Sequence, residues 1–457
     1  MAEQEAEQVE EPVELVARVA GIDVAKDSGM VCTRVPHPSR AGRRVQQVWS
    51  VPARFAAVSE LADQLVELGV ERVVLESTAD YWRIWFYLLE AAGLQVWLVN
   101  ARDVKNVPGR PKTDKLDCIW LCKLNERGML RRSFVPPQDI RDLRALTRLR
   151  AMLTAECSRH KQRVEKILED ALIKVSAVVS ELFGKSGRAM LRALVAGQRD
   201  PKVLAELAQG RLKVKKAQLA EALTGRFRDV HAFEVGMLID LIESLEAKTA
   251  ALTEKITAHL ASLPGVPAAC TSCGVIGEHT GDCADRSIHL PSLVARLDEI
   301  PGIGPHTAHV LIAELGLDMS QFPTAAHAAA WAKLSPQTRQ SGATTRPGKT
   351  GKGNRWLRGA LGDAAMAVGK TDTFLGERYR RIRRRRGKQK AMVALARAIL
   401  EIAYLLIADP TLRFNDLGAD YYDRLDPTRQ TRNKIREIER LNPGVKVTLA
   451  PADTTAA

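Results

Sequence analysis

Two runs of β-branched and apolar residues early in the chain each stop on a carboxylate. LVARVAGID (15–23) ends on Asp23, and RVVLE (72–76) ends on Glu76. Apolar runs of this length read as buried strands, so both acids are expected where a buried strand ends. Two further acids, Asp114 and Asp117, open a helical pattern in KTDKLD, and a spacing of three puts them on one helix face. Four carboxylates drawn together repel one another at neutral pH. The usual relief is a divalent cation, and oxygen-only ligands select Mg²⁺ or Mn²⁺. The chain around them is basic, with a formal charge of +14 and a pI near 9.5. A polyanionic partner is therefore expected, and metal-assisted work on phosphodiesters is the chemistry such a site suits best.

The bulk numbers narrow the field further. A chain of 457 residues is long enough for two or three domains, each with its own core. Aromatic residues make up only 5%, which disfavours stacking on single strands and leaves backbone-phosphate contacts as the expected binding mode. No run of about 18 apolar residues is apparent, so no membrane span is expected. Residues 1–14 (MAEQEAEQVEEPVE) are acidic and polar, unlike a signal peptide, and read as a disordered tail. The seven cysteines are not spaced like a secreted disulfide framework, which points to the reducing cytoplasm, at the nucleoid.

Strands are predicted at 15–23, 29–35 and 45–51, then a helix over 52–68, a strand at 72–76, a helix over 81–92 and a strand at 94–99. The loop NARDVKNVPGRPKTD then delivers the helix with Asp114 and Asp117. The order βββαβαβα is that of an RNase-H-like α/β domain, assigned here to 15–136. Residues 137–263 look almost wholly helical. Leu146, Leu149, Leu153, Cys157, His160, Val164, Ile167 and Ala171 recur at three- and four-residue steps, and Leu238, Ile242, Leu245, Leu252, Ile256 and Leu260 do so further on. Two long helices around a basic, Gly-containing section (184–228) suggest an antiparallel coiled-coil arm, with a plain helical bundle as the alternative. Pro, Gly, Cys and His break the pattern over 264–292. Helical signals resume over 293–408, and 409–457 reads as a polar, partly ordered extension with an amphipathic piece at NKIREIERL.

Four other constellations carry chemistry. In EIPGIGPHTAHVLIAEL (299–315), Gly302 and Gly304 fit the turn of a helix-hairpin-helix motif, which lets backbone and helix N-terminus approach a phosphate. The competing reading is a tight turn without a ligand. In LSPQTRQSGATTRPGKTGKGNRWLRGAL (334–361), Ser341 precedes Gly342 in a basic loop with Arg339, Arg346, Lys349, Lys352, Arg355 and Arg358. Cations so placed can hold a phosphodiester, although a serine in a loop is weak support for a nucleophile by itself. In RYRRIRRRRGKQK (378–390), nine of thirteen residues are Lys or Arg, a density of one sign that a merely solvated face seldom carries, and Arg383, Arg384, Arg385 and Arg386 are its centre. Lys112 and Lys115 flank the second acidic pair and could neutralise a phosphate backbone. Finally, Cys270, Cys273, Cys283 and either His279 or His289 could make a tetrahedral Zn²⁺ site, though one CxxC is only half of a ribbon. Cys32, Cys118, Cys122 and Cys157 fall in regular elements and read as core residues.

GIDVAK, VLEST and KTDKLD together resemble the DEDD motif of RuvC-like transposases. IPGIGPHTA with LSPQTRQSG resembles the C-terminal domain of the IS110 insertion-sequence transposases, relatives of the Piv-type DNA invertases, and DLGADYYDRLDPTR…IREIERL…VTLAP is similar to their tails. The resemblance runs over roughly 15–450. It implies a transposase or recombinase in which Asp23, Glu76, Asp114 and Asp117 bind Mg²⁺ and Ser341 attacks DNA to form a phosphoserine link. It also implies guidance by a bridge RNA and assembly of dimers into tetramers through the coiled coil. A RuvC-type nuclease using metal-activated water is the alternative enzyme, and a catalytically dead nucleic-acid-binding protein is the alternative outside catalysis. The Cys/His insert and the N-terminal extension have no counterpart in that pattern.

Overall fold

The computed structural model describes residues 16–40, 42–76, 79–100, 114–263, 292–336, 338–342, 344–348 and 350–449. It divides between Pro136 and Pro137 into two units.

The first unit is built on a five-stranded sheet. Strands β1 (Val19–Val24), β2 (Ser28–Pro36), β3 (Arg44–Pro52), β4 (Arg72–Glu76) and β5 (Gln95–Val99) lie in the order β3-β2-β1-β4-β5. The first three form an antiparallel meander, while β1–β4 and β4–β5 are parallel. Each parallel pair is joined by a crossover helix, α1 (Phe55–Glu67) before β4 and α2 (Trp82–Ala91) before β5. Ala20, Ile22 and Val24 of β1 and Val73 and Leu75 of β4 join Leu61, Leu65, Trp85 and Leu89 in the core beneath these helices. The alternate residues face the other way, because side chains alternate along a strand. There Val19 packs with Cys118 and Cys122, and Val74 with Leu121 and Leu124, against helix α3 (Asp114–Glu126). Both faces of β1 and β4 are therefore covered, which is why Val19–Ile22 and Val73–Leu75 are unbroken apolar runs ahead of Asp23 and Glu76.

The second unit begins with α4 (Gln138–Asp170), which lies antiparallel along α8 (Asp229–Ser262). Their register is marked by His259 against the Asp139 carbonyl (2.8 Å), Lys161 with Glu246 (2.9 Å) and His231 with Asp170 (3.0 Å). The segment between them folds back as a cap. Helices α5 (Lys185–Val195), α6 (Pro201–Glu206) and α7 (Lys216–Leu223) bury Met190, Leu191, Leu204 and Leu219 against Val164, Leu168, Val235 and Ile239.

The apolar face expected for α4 is revised near its start. Leu149 is exposed, and Thr147 and Arg150 take the buried positions. The reason is the partner: this end of α4 meets charged and imidazole groups of a later helix rather than an apolar surface.

A bundle completes the unit. It comprises α9 (Leu293–Asp298), α10 (Pro305–Leu315), α11 (Ala325–Trp331), the two-stranded ribbon β6 (Thr338–Ser341) and β7 (Thr344–Pro347), and helices α12 (Arg355–Val368), α13 (Phe374–Arg386) and α14 (Lys388–Ala408). Two further helices, α15 (Tyr421–Leu425) and α16 (Pro427–Leu441), follow.

One helix bears on the expectation of no membrane span. Lys388–Ala408 is long and apolar enough to cross a membrane by length and composition. It is the central core helix of the bundle: Leu395, Ile399, Leu400 and Ala403 are buried, and Tyr404 Oη donates to the Phe322 carbonyl (2.8 Å). Arg296, 1% exposed, donates to the Leu406 carbonyl (2.8 Å) and so satisfies the C-terminal end of α14. The tail at 1–14 and the insert at 264–291 lie outside the described residues.

Candidate functional site

Asp23 and Glu76 are direct partners in the parallel register of β1 and β4. Each shares a face with the residue two before it, Gly21 and Val74, so both carboxylates belong to the side covered by α3. Glu76 is buried at 5% exposure, while Asp23 and Asp117 are half-buried.

Gly21 explains how close α3 can come. A Cβ placed there would stand 2.9 Å from the Cys118 carbonyl oxygen and 3.0 Å from the Cys122 amide nitrogen. The helix backbone therefore rests on the strand, one turn beyond Asp117. Its far end is tied down by Glu126, which pairs with Arg34 (3.1 Å) and Arg44 (3.3 Å) of β2 and β3. The Cys118 thiol is held protonated by its hydrogen bond with Cys32 and by burial, and the Asp23 carboxylate adds to the shift.

A Gly21→Ala change is expected to cost about 1–3 kcal/mol by overpacking backbone against backbone, and to displace Asp117 from Asp23. Urea unfolding of the variant checks it, and a neutral substitution would dismiss the close approach.

The donor set is of the kind a hard divalent cation takes: carboxylate oxygens at adjacent strand ends with a third on the covering helix. Among the described residues no group of three His, Cys, Asp or Glu is placed to hold a metal ion, so Asp23, Glu76 and Asp117 do not make a complete site by themselves. Asp114 is the first residue of α3, and its side chain lies outside the description, as does Lys112. Lys115 is exposed on the same helix turn. Cys270, Cys273, Cys283, His279 and His289 also lie outside the described residues.

The other candidates sit in the second unit. Ser341 is the last residue of β6 and pairs with Thr344, so it closes a tight ribbon tip at which Gly342 has φ +58°. Arg339 and Arg346 are cross-strand partners two residues behind it. Lys352 and Arg355 are exposed where the ribbon returns to α12, and the Arg355 guanidinium lies 4.5 Å from the Trp356 ring centre.

The turn between α9 and α10 contains both expected glycines, with different roles. Gly302 has φ +82°, and a Cβ there would meet the Ala364 carbonyl of α12 at 2.5 Å, so its task is packing. Gly304 caps α10 with open space in front of it. Arg383, Arg384, Arg385 and Arg386 form the exposed last turn of α13, where the helix dipole favours cations.

One cluster was not anticipated. Glu314, fully buried, receives Arg148 through two bonds (2.8 Å each), Arg144 (3.2 Å) and the Asn354 amide (2.5 Å). Asn354 also caps α12 through its side-chain oxygen. Beside this, Arg150 lies against His309, both 4% exposed.

The sheet order, with acids at two central strand ends and on the helix that follows β5, is consistent with an RNase H-like domain of the DEDD type. Two transposase family models match the chain: one of the IS110 DEDD type over residues 20–173, and one described as the transposase IS116/IS110/IS902 family over residues 294–380. The chain belongs to this IS110 family of transposases. It is 36% identical over 118 residues to an uncharacterized protein of insertion element IS110 from Streptomyces coelicolor, covering 25% of this chain and 29% of that protein. It is 33% identical over 130 residues to the pilin gene-inverting protein of Moraxella bovis, covering 28% of this chain and 39% of that one. The matched segments thus span well under half the length of either relative.

Proposed function

We propose that this chain is the transposase of an insertion sequence, a recombinase that cleaves and rejoins DNA with divalent-metal assistance and a serine nucleophile. The observation that carries the metal half is the register that sets Asp23 beside Glu76 on the face covered by the Asp117-bearing helix. Asp23, Glu76, Asp114 and Asp117 would hold one or two Mg²⁺ or Mn²⁺ ions. When bound, such ions supply charge neutralisation at a scissile phosphate. The protein's part is to hold the carboxylates on a rigid strand pair and to keep α3 seated through Gly21 and Glu126.

Ser341 is the nucleophile in this reading. Its hydroxyl oxygen bonds to phosphorus, the phosphoester oxygen of one DNA strand leaves and takes up a proton, and a phosphoserine ester keeps the strand attached for rejoining. Support comes from its place at the tip of a ribbon carrying Arg339 and Arg346, with Lys352 and Arg355 following. Element ends and target DNA are the substrates. Charge concentrated on Arg383–Arg386 suits backbone contact rather than base reading, which fits delegation of sequence choice to a guide RNA. The long antiparallel helices would serve assembly into dimers and tetramers.

The test is adduct trapping on supercoiled DNA carrying the element junction and target, with protein co-expressed with its element's non-coding flank. A protein–DNA adduct that survives denaturation and vanishes in Ser341→Ala is expected. Metal-dependent cleavage that Ser341→Ala leaves intact, with no adduct, would instead leave a RuvC-like nuclease using water.

A further inference from the structure

Helices α4, α10 and α12 leave between them a cavity of about 380 Å³ in the second unit. It exists because α4 and α12 present small residues, among them Ala151 and Gly359, where larger side chains would fill the space. Arg150 reaches it from α4, His306 and Thr307 from the first turn of α10, and Arg355 and Trp356 from the first turn of α12.

The charge balance of the cavity is incomplete. Arg150 is 4% exposed, and its two described hydrogen bonds go to the His306 carbonyl (3.2 Å) and the His309 ring nitrogen Nδ1 (3.2 Å). His309 is neutral at physiological pH, since burial and the neighbouring Arg150 push its pKa down to about 4. Both groups are therefore uncharged acceptors. Glu314 also lines the cavity, but it is already engaged by Arg144, Arg148 and Asn354. Asp363 lines it as well, and no described ion pair joins it to Arg150. A guanidinium taken out of water and met only by neutral groups is costly unless an anion enters. The start of α10, an eleven-residue helix, adds the positive end of its dipole at the same cavity.

We propose that this cavity binds one phosphate group of a nucleic-acid backbone, held by Arg150 and the first turn of α10, with Arg355 at the side. The volume exceeds that of a phosphate alone, and the walls at Ala151, Trp356 and Gly359 suit the sugar attached to it. The site rests on the reading of this chain as one that acts on DNA, yet it uses neither Ser341 nor the acidic quartet. It would anchor a strand where the long α4–α8 pair joins the bundle.

The experiment has two arms, both on the full chain without divalent metal. In the first, affinity for a duplex of arbitrary sequence is measured against salt concentration. Arg150→Gln and Arg355→Gln are each expected to weaken binding several-fold and to lower the slope of log K on log salt by about one. In the second, thermal midpoints are compared in inorganic phosphate and in chloride of matched ionic strength. Wild type should gain stability from phosphate, and the variants should lose that gain. Should Arg150→Gln fail to fold, the exposed Arg355→Gln decides. A lost phosphate response with an unchanged DNA slope would mean that the site takes free phosphate, overturning the backbone assignment. No difference from wild type in either arm would overturn the site altogether. Failure of the adduct assay alone would strike at the serine chemistry and leave this site standing.

Discussion

Asp23→Asn, and separately Glu76→Gln, should lower metal-dependent strand cleavage by at least about a thousandfold, since each removes a charged ligand from the proposed metal site. The same substitutions should not harm the fold. They remove one of several like charges at adjoining strand ends, so metal-free stability should stay level or rise. The two effects separate cleanly by thermal unfolding with and without Mg²⁺. Wild type should gain stability from the ion through preferential binding to the folded state, and the variants should not. Cleavage within tenfold of wild type in both variants would remove the carboxylates from the mechanism.

Glu314→Ala should destabilise the second unit by about 2–3 kcal/mol, less than for a fully buried pair, because the half-buried Arg144 and Arg148 keep part of their hydration when their buried acceptor is lost. Arg148 loses a two-pronged partner, Arg144 loses one of its acceptors, and Asn354 loses the contact that orients it as the cap of α12. Glu314→Gln should recover part of the loss, because its amide oxygen still accepts hydrogen bonds. Urea unfolding followed by circular dichroism, dominated by this helical unit, reads the difference. A loss below about 1 kcal/mol for Glu314→Ala would show the cluster to be loosely held.

The legible parts of the chain were those where one physical signal dominates. Strand β4 was predicted at 72–76 and is found at Arg72–Glu76, because a strand covered on both faces keeps an unbroken apolar run, here Val73–Leu75, between its polar ends. Asp114 and Asp117 were placed on α3 by their spacing and its apolar face. The unanticipated parts depend on partners distant in sequence. Glu314 sits in VLIAEL and looks like the polar face of an amphipathic helix, yet its turn is buried on all sides. Arg144 and Arg148, some 170 residues earlier, and Asn354, 40 residues later, make it tolerable. Its one local signal was a lone acid within an otherwise apolar stretch. Leu149 misled for the matching reason: periodicity finds a helix face but cannot say what that face meets. Gly302 was read for its freedom at a turn. Its closer duty, making room for the Ala364 carbonyl, depends on a helix some sixty residues on.

The paired helices α4 and α8 have a mechanical consequence. Each runs for more than thirty residues, a rod of roughly 50 Å. One end is clamped at Glu314, and the other carries the compact cap of α5, α6 and α7. Such a beam converts small rotations at its clamp into large travel at its tip: a tilt of about ten degrees moves the cap by roughly 9 Å over that length. Adjustments of a fraction of an ångström among Arg144, Arg148 and Asn354 would thus be geared up at the far end. The stiffness of that clamp, the Glu314 carboxylate together with the Arg150 contacts to His306 and His309, would set how finely the tip is aimed.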